Sequence, residues 1–358
     1  MRVLHVFRPT VPSMRAQVVQ VVHTCHALAA RGHEVTLFAN AAADAPEDPT
    51  ALLAAWGLAP LPTFNLQVSP TRWSPGAGLW FRWKAGQWAD GAGRDTIAFV
   101  RELKYLGVLG ERPRVVYEAH CLEKQRAAEE GEEVGVTEAW ERAMLGRAQA
   151  LVTNSAGTLA ALEEAYGEGL PPIRHVVQNA TRADRVVSGL RTGPPTVVYA
   201  GSARAWKGVG GLVDAMSRLP DVRLELIGDA PAGPLPPNVV AVQTVPYGEL
   251  PARLTNAHAL VLPLEDNSFG RRFTSPLKLW DYLATDIPIV AADLPTVREA
   301  AGDLPIYYPP GDADALAAAL RQALASGPRA RRIRTWEDRA AELEGVFEAA
   351  LRAPRRRG

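Results

Sequence analysis

The chain opens on a short β-branched run, Arg2 to Phe7, and passes through a polar loop, Arg8-Pro-Thr-Val-Pro-Ser-Met-Arg15, into a stretch where apolar residues return every three or four positions. Val18, Val22, Cys25 and Ala29 mark the inner face of a helix there, and Gly32 stops it before a second apolar run, Glu34 to Phe38. Strand, helix and strand are the predicted elements. The same order restarts downstream, with a strand at Thr196 to Ala200, a loop at Gly201 to Gly208, a helix at Val209 to Leu219 and a strand at Val222 to Gly228. Short apolar runs at Arg114 to Tyr117, Ala150 to Thr153, His175 to Val177, Ala259 to Pro263 and Ile287 to Ala291 alternate with helical stretches, the pattern of parallel sheets. Each half is therefore expected to be a doubly wound α/β domain, with ligands outside the carboxyl ends of its strands. Two such domains facing each other would leave a cleft between those ends.

Gly189, Gly193, Pro194 and Pro195 interrupt a stretch of poor periodicity, so the linker is expected at 183–195, between domains at 1–182 and 196–335. Leu343, Phe347 and Leu351 repeat every four residues and predict a helix from Trp336, with the Arg355-Arg-Arg-Gly358 tail disordered.

Composition agrees with two domains, because 358 residues at 47% hydrophobic content exceed one ordinary core. Thirty-nine basic residues balance thirty-nine acidic ones, which removes the global field that would draw the chain onto nucleic acid. Any anion must be held by local constellations. Cys25 and Cys121 lack the spacing of a zinc site or a disulfide framework, which suits a reducing cytoplasm. The apolar start breaks at Pro9, short of a membrane span or a secretory leader, so folding is expected to begin at residue one.

Four segments carry candidate chemistry. In Arg271-Arg-Phe-Thr-Ser-Pro-Leu-Lys-Leu-Trp-Asp-Tyr-Leu-Ala284, Ser275 can serve as N-cap and Pro276 as the first helical residue. The free amides of that first turn suit a phosphate, Lys278 adds charge, and Asp281, one turn beyond Leu277, could accept from ribose hydroxyls. On this segment alone an ordinary helix start with a solvated Asp281 is the simpler reading. Tyr199-Ala-Gly-Ser-Ala-Arg-Ala-Trp-Lys-Gly208 follows a strand and puts Arg204 and Lys207 on one loop, where they could neutralise a leaving diphosphate. It is neither a Walker loop nor a dinucleotide fingerprint, and a solvated basic loop stands beside that reading. His120 ends Val115-Val-Tyr-Glu-Ala-His120 on the same strand face as Glu118, although a lone histidine is more often structural; His23, His26, His33 and His258 are set aside. Arg72-Trp-Ser-Pro-Gly-Ala-Gly-Leu-Trp-Phe-Arg-Trp-Lys84, with Trp88, mixes aromatics with positive charge. A lipid-linked or sugar acceptor, or peripheral membrane contact, would suit it, while a loop packed onto the core is commoner. No carboxylate pair, nucleophile elbow or zinc motif stands out, and Asp266, Asp286 and Asp293 read as loop residues.

Together these segments resemble the glycosyltransferase group 1 family, retaining sugar transferases of GT-B architecture, along nearly the whole chain. Ala27-Leu-Ala-Ala-Arg-Gly-His-Glu-Val35 is similar to the family's first βαβ unit, and Val176-Val-Gln-Asn179 to its end-of-domain signature, with Ala180 in place of the usual glycine. Tyr199-Ala-Gly-Ser202 with Trp206-Lys-Gly208 resembles the loop opening the donor domain. Thr274-Ser-Pro-Leu-Lys-Leu-Trp-Asp-Tyr-Leu-Ala284, followed by Pro288 to Pro295, resembles the phosphate- and ribose-binding helix. Phe273 stands where the family has its first glutamate, Asp281 where it has the second, Asp286 replaces a glycine, and Ser13-Met-Arg15 replaces a glycine pair.

The resemblance implies a retaining, metal-independent glycosyltransferase without cofactor. Its donor would be a nucleoside-diphosphate sugar, and its acceptor a glycan, a lipid-linked molecule or a small molecule, in polysaccharide, glycolipid or cell-envelope assembly. It assigns His120, Arg204 and Lys207 to catalysis and Ser202, Thr274, Ser275, Pro276, Leu277, Lys278 and Asp281 to the donor, with Ser13 and Arg15 toward the acceptor. It also implies a C-terminal helix, 336–358, that crosses back to the first domain, and a cytoplasmic enzyme that can work at the inner face of the membrane. A sugar-nucleotide epimerase or phosphorylase on the same fold, or a non-catalytic nucleotide-sugar scaffold, remain alternatives; Phe273 is the best support for the last.

Overall fold

The computed structural model describes residues 1–70, 74–130, 137–245 and 248–354. The chain divides into two compact units, Met1–Gln178 with Trp336–Gly358, and Asn179–Thr335. The tail from residue 355 lies outside the described residues.

In the first unit, β1 (Arg2–Val6), β2 (Thr10–Val11), α1 (Ala16–Ala30) and β3 (Glu34–Ala41) follow the alternation read above. Val18, Val22, Cys25 and Ala29 are all buried, and Gly32 ends the turn after α1 at a φ of 90°. Next come α2 (Pro49–Ala54), β4 (Phe64–Val68), α3 (Ser74–Asp90), β5 (Thr96–Val100) and β6 (Arg114–Ala119). The first pass ends with α4 (Glu123–Glu130), α5 (Glu138–Gly146), β7 (Ala150–Thr153), α6 (Ala156–Tyr166) and β8 (Ile173–Val176). Among the described residues the strands form one parallel sheet in the order β2-β3-β1-β5-β6-β7-β8, with β4 also pairing on β3. Val3 pairs with Val35 on one side and Ile97 on the other, so β1 is central and apolar on both faces.

The aromatic segment at 72–84 was expected to pack as a loop. Arg72 and Trp73 lie outside the described residues, and from Ser74 onward the segment is the helix α3. Ala77, Phe81, Ala85 and Ala89 recur every four residues on its buried face, with Phe81 packing 4.8 Å from Tyr105, while Leu79 and Trp83 are 69% and 57% exposed. No described helix is long and apolar enough to cross a membrane.

The second unit holds β9 (Thr196–Gly201), α7 (Val209–Met216), β10 (Arg223–Gly228), β11 (Val239–Val242), α8 (Leu250–Leu254) and β12 (Ala259–Leu262). It continues through α9 (Leu277–Leu283), β13 (Ile289–Ala292), α10 (Pro295–Ala301), β14 (Ile306–Tyr308) and α11 (Ala313–Ala325). Its parallel sheet runs β11-β10-β9-β12-β13-β14. The stretch expected to be the interdomain linker, 183–195, groups with this unit, where its polar groups are satisfied. Gly189 N donates to Asp286 at 2.9 Å, Leu190 N to the Thr255 carbonyl at 2.7 Å, and Arg191 to the Ser326 carbonyl at 2.8 Å. The passage between units instead falls at Gln178/Asn179 and again at Thr335/Trp336.

From Trp336 the chain rejoins the first unit as α12 (Trp336–Arg352). Trp336 stacks on His23 at 5.6 Å and Phe347 meets Phe99 at 5.2 Å, both side chains being fully buried or nearly so. The C-terminal helix is therefore part of the first unit's core.

Candidate functional site

In the second unit the strand order reverses direction between β9 and β12, the place where a doubly wound sheet opens a crevice at its carboxyl ends. β9 ends at Gly201, and the following loop makes a tight turn at Ala205–Lys207 before α7. Gly208 closes that loop with a φ of 66°, and a Cβ there would lie 1.7 Å from the Pro263 carbonyl oxygen beyond β12. Only glycine passes so close to the neighbouring strand end.

Two lysines converge on this loop. Lys207 Nζ donates to Ser202 Oγ at 2.7 Å and sits 5.3 Å from the Trp206 ring. Lys278, from the first turn of α9, places its Nζ 3.8 Å from the Tyr199 ring centroid, and a Cβ on Gly201 would lie 2.4 Å from that nitrogen. Nζ of Lys278 is buried, with no hydrogen-bond partner among the described residues. Burial holds its pKa well below the usual lysine range, and the Lys207 charge pushes the same way. Lys207 is lowered chiefly by its own burial and then by Arg204, against a raising influence from Asp229. Arg204 itself is exposed on the loop. Charging a buried amine without a partner is costly, so a bound anion at this loop would supply the compensation that the Lys278 charge lacks.

The helix segment departs from its sequence reading. Pro276 is the N-cap, extended at ψ 121°, and no side chain among the described residues caps the helix, so Ser275 precedes the cap rather than forming it. The reason is tertiary: Asn179 Nδ2 donates to the Ser275 carbonyl at 2.7 Å, holding that residue outside the helix. Thr274 is buried, its N–H bonded to the Phe269 carbonyl at 3.0 Å across a π-type turn. Leu277 and every residue from Leu279 to Leu283 are buried, leaving α9 without an open polar face. Asp281 is accordingly neither open to a ribose nor solvated; it is 3% exposed and accepts from the Thr181 hydroxyl at 2.5 Å. Phe273 is buried too, edge-on to Phe269 at 5.7 Å, and Phe269 lies 6.2 Å from Trp206. An aromatic row thus runs from the position of the absent glutamate to the lysine loop.

In the first unit, His120 follows the end of β6, and its Nε2 meets a guanidinium nitrogen of Arg101, which follows β5. Burial, Arg101 and a smaller effect of Arg339 pull its pKa down to about 4 against the opposing carboxylate of Glu118. Glu118 is fully buried and pairs with the equally buried Arg339 of α12. Arg339 also donates to the carbonyls of Val177 at 2.6 Å and Gln178 at 3.0 Å. Ser13 and Arg15 share one turn before α1, where Ser13 Oγ accepts from Arg15 N at 3.3 Å. Among the described residues no hydrogen bond or ion pair links either to His120.

The sequence singles out the two segments whose lysines converge here, but not Arg101, Thr181 or Arg339. For Arg339 a signal existed, since the charge falls inside the apolar stripe of Trp336, Ala340, Leu343 and Phe347. Among the described residues no group of three or more His, Cys, Asp or Glu gathers as a metal site requires. A hollow lined by Pro220, Asp221, Arg223 and Asn238 lies at the amino ends of β10 and β11, the wrong end of the sheet for the crevice.

Two family models match the chain, Glycosyltransferase Family 4 over residues 17–185 and Glycosyl transferases group 1 over residues 194–326. No curated protein sequence matches it. Among solved structures, sucrose-phosphate synthase from Thermosynechococcus elongatus superposes with a TM-score of 0.68 at 17% identity, covering 98% of this chain and 96% of that one. Anabaena HepE in complex with UDP-glucose gives 0.64 at 15% identity, with 98% of each chain covered. An α,α-trehalose-phosphate synthase from Burkholderia xenovorans, in complex with glucose-6-phosphate, gives 0.61 at 11% identity over 98% of this chain and 97% of that one. These likenesses establish two parallel-sheet α/β units of the GT-B fold, and the two family matches, which together span most of the chain, show that it belongs to the glycosyltransferase group 1 family.

Proposed function

We propose that this glycosyltransferase moves a sugar, with retention of anomeric configuration and without a metal ion, from a nucleoside-diphosphate sugar to a glycan, lipid-linked or small-molecule acceptor. The observation that carries the donor assignment is the Lys278 amine, buried beside Lys207 without a hydrogen-bond partner among the described residues. Arg204 supplies a third positive charge on the same loop. Negative charge accumulates on the diphosphate as the bond from sugar C1 to phosphate oxygen breaks, so these cations bind the transition state more strongly than the ground state. The acceptor oxygen forms the new bond to C1 on the same face, and its proton passes to the leaving phosphate. No protein nucleophile is required.

In this reading Ser202 and the turn of Thr274, Ser275, Pro276 and Leu277 line the phosphates, His120 serves the donor sugar, and Ser13 and Arg15 serve the acceptor. Asp281, closed off by Thr181, supports the helix instead of binding the ribose. The UDP-glucose held by Anabaena HepE makes a uridine nucleotide the first to try. The reading puts the activity in the cytoplasm, in polysaccharide, glycolipid or cell-envelope assembly, with a lipid-linked acceptor bringing it to the inner face of the membrane.

A second reading, a nucleotide-sugar-binding scaffold without turnover, is favoured by Phe273, whose buried ring cannot hydrogen-bond a sugar hydroxyl. Calorimetric titration of UDP, GDP and ADP, alone and as sugar conjugates, into the wild type and Lys207→Ala separates these readings when paired with a donor-consumption assay. Selective binding that weakens about tenfold or more in the variant, with sugar transfer, supports the enzyme. Selective binding without turnover supports the scaffold, and binding of none of them overturns the donor site.

A further inference from the structure

We propose that Arg101 holds His120 as the neutral imidazole with its proton on Nδ1, and that Arg339 of the C-terminal helix is the positioning residue that anchors this arrangement through Glu118 and Gln20. A guanidinium offers only donors and stays protonated at every working pH. Its contact with His120 Nε2 therefore requires that nitrogen to present a lone pair, which leaves the ring proton on Nδ1. Glu118 Oε1, at 3.5 Å from the same Nε2, would favour the opposite tautomer. That oxygen is already committed, because it accepts from Gln20 Nε2 at 2.9 Å and from Arg339 Nη2.

The remaining links agree. Arg101 Nη1 donates to Gln20 Oε1 at 2.7 Å, so the Gln20 amide presents oxygen to the guanidinium and nitrogen to the carboxylate. Flipping it would set N–H groups against Arg101 and oxygen against Glu118, which fixes one direction for the whole chain of bonds. Among the described residues, four ionisable groups face His120: Glu118 from the end of β6, Arg101 from the end of β5, Arg339 from α12 and His5 from β1. Two guanidiniums against one carboxylate leave a net positive charge there, which opposes adding a proton to the ring. His5 carries no charge at neutral pH, since burial takes its pKa down to about 3.

His120 Nδ1 has no hydrogen-bond partner among the described residues, and the side chain is 20% exposed. The ring is thus set as a hydrogen-bond donor to a substrate oxygen and not as a proton acceptor. The link to a substrate rests on the proposed function, whereas the tautomer can be read without any substrate.

The test is two-bond 1H–15N correlation NMR of the full chain carrying 15N-histidine, with His120 assigned by His120→Gln. The expected spectrum shows the neutral Nδ1–H pattern unchanged from about pH 5.5 to 8. In Arg101→Met the ring should become a tautomer mixture and titrate within that range. Arg339→Met should move it in the same direction, and Arg339→Lys, which keeps a charge on Glu118, should recover part of the wild-type pattern. Far-UV circular dichroism checks each fold, and Arg101→Gln replaces Arg101→Met if the latter does not fold. An Nε2–H pattern in the wild type, titration of wild-type His120 near about 6.5, or a folded Arg101 variant with the wild-type pattern would overturn the proposal. Failure of sugar transfer is read in a separate assay and leaves these outcomes untouched.

Discussion

The Nζ of Lys278 lies 3.8 Å from the centroid of the Tyr199 ring, so the first turn of α9 delivers its charge onto the strand end at Gly201. The ring face offers partial compensation, worth about 0.5–2 kcal/mol, less than a desolvated ammonium loses by leaving water.

Lys278→Met should therefore raise the Tm of the free protein and abolish the stabilisation that nucleoside diphosphates give the wild type. The pH dependence has a definite sign. The folded pKa of Lys278 is depressed, so between it and the ordinary lysine value the unfolded chain binds more protons and stability rises with pH. Thermal melts of both proteins over that range check this; an unchanged slope in the variant contradicts a depressed Lys278 pKa.

Thr181→Val removes the hydroxyl that donates to Asp281 at 2.5 Å and leaves that buried carboxylate oxygen without this donor. Denaturant unfolding should show a loss of about 1–3 kcal/mol, with Thr181→Ser close to wild type. Equal stability of all three would mean that Asp281 faces water.

Gly208→Ala should cost more than the roughly 1–2 kcal/mol of a left-handed alanine, because its Cβ would also lie 1.7 Å from the Pro263 carbonyl oxygen. The expected result is a large fall in Tm, with the neighbouring loop displaced and nucleotide affinity lost in the fraction that folds. Gly210→Ala, where a Cβ meets nothing within 4 Å, is the control that should remain near wild type.

Arg339→Met leaves Glu118 charged and buried without its ion-pair partner, which should cost about 3–5 kcal/mol near neutral pH. Glu118 has a folded pKa well below the usual range; burial opposes this, and the charge of Arg339 leads the groups that lower it. Its stabilisation is therefore present above the unfolded value and disappears as pH falls through the folded one. The deficit of the variant should shrink in that acid range. Glu118→Gln combined with Arg339→Met should cost less than the two single changes summed, and additivity would argue against direct pairing.

Much of the scaffold was legible in local pattern. The inner face of α1, the strands at 150–153 and 196–201, and the C-terminal helix all follow from periodicity, because a repeat of two or of three to four residues reports which side of an element meets the core. α3 escaped notice because Gly76, Gly78 and Gly86 dilute its helical character and Leu79, Trp80 and Trp83 blur its apolar face, although Ala77, Phe81, Ala85 and Ala89 define the buried side. The cap at Ser275 was misread for a different reason: Ser-Pro is a sound local start signal, and only Asn179 shows why the helix begins later.

By itself the sequence determined the two alternating α/β halves, the glycine-closed loop from Gly201 to Gly208 and the two segments that carry Lys207 and Lys278, since each depends on residues near one another in the chain. Only the tertiary structure decided what those side chains meet. Thr181 and Asp281 are 100 residues apart, and Glu118 and Arg339 are 221 apart. No local pattern encodes such pairs, because burial and charge compensation act between whatever groups packing brings together, whatever their distance along the chain. It also turned Asp281 inward, left the Lys278 amine without a hydrogen bond among the described residues and set Arg101 against His120.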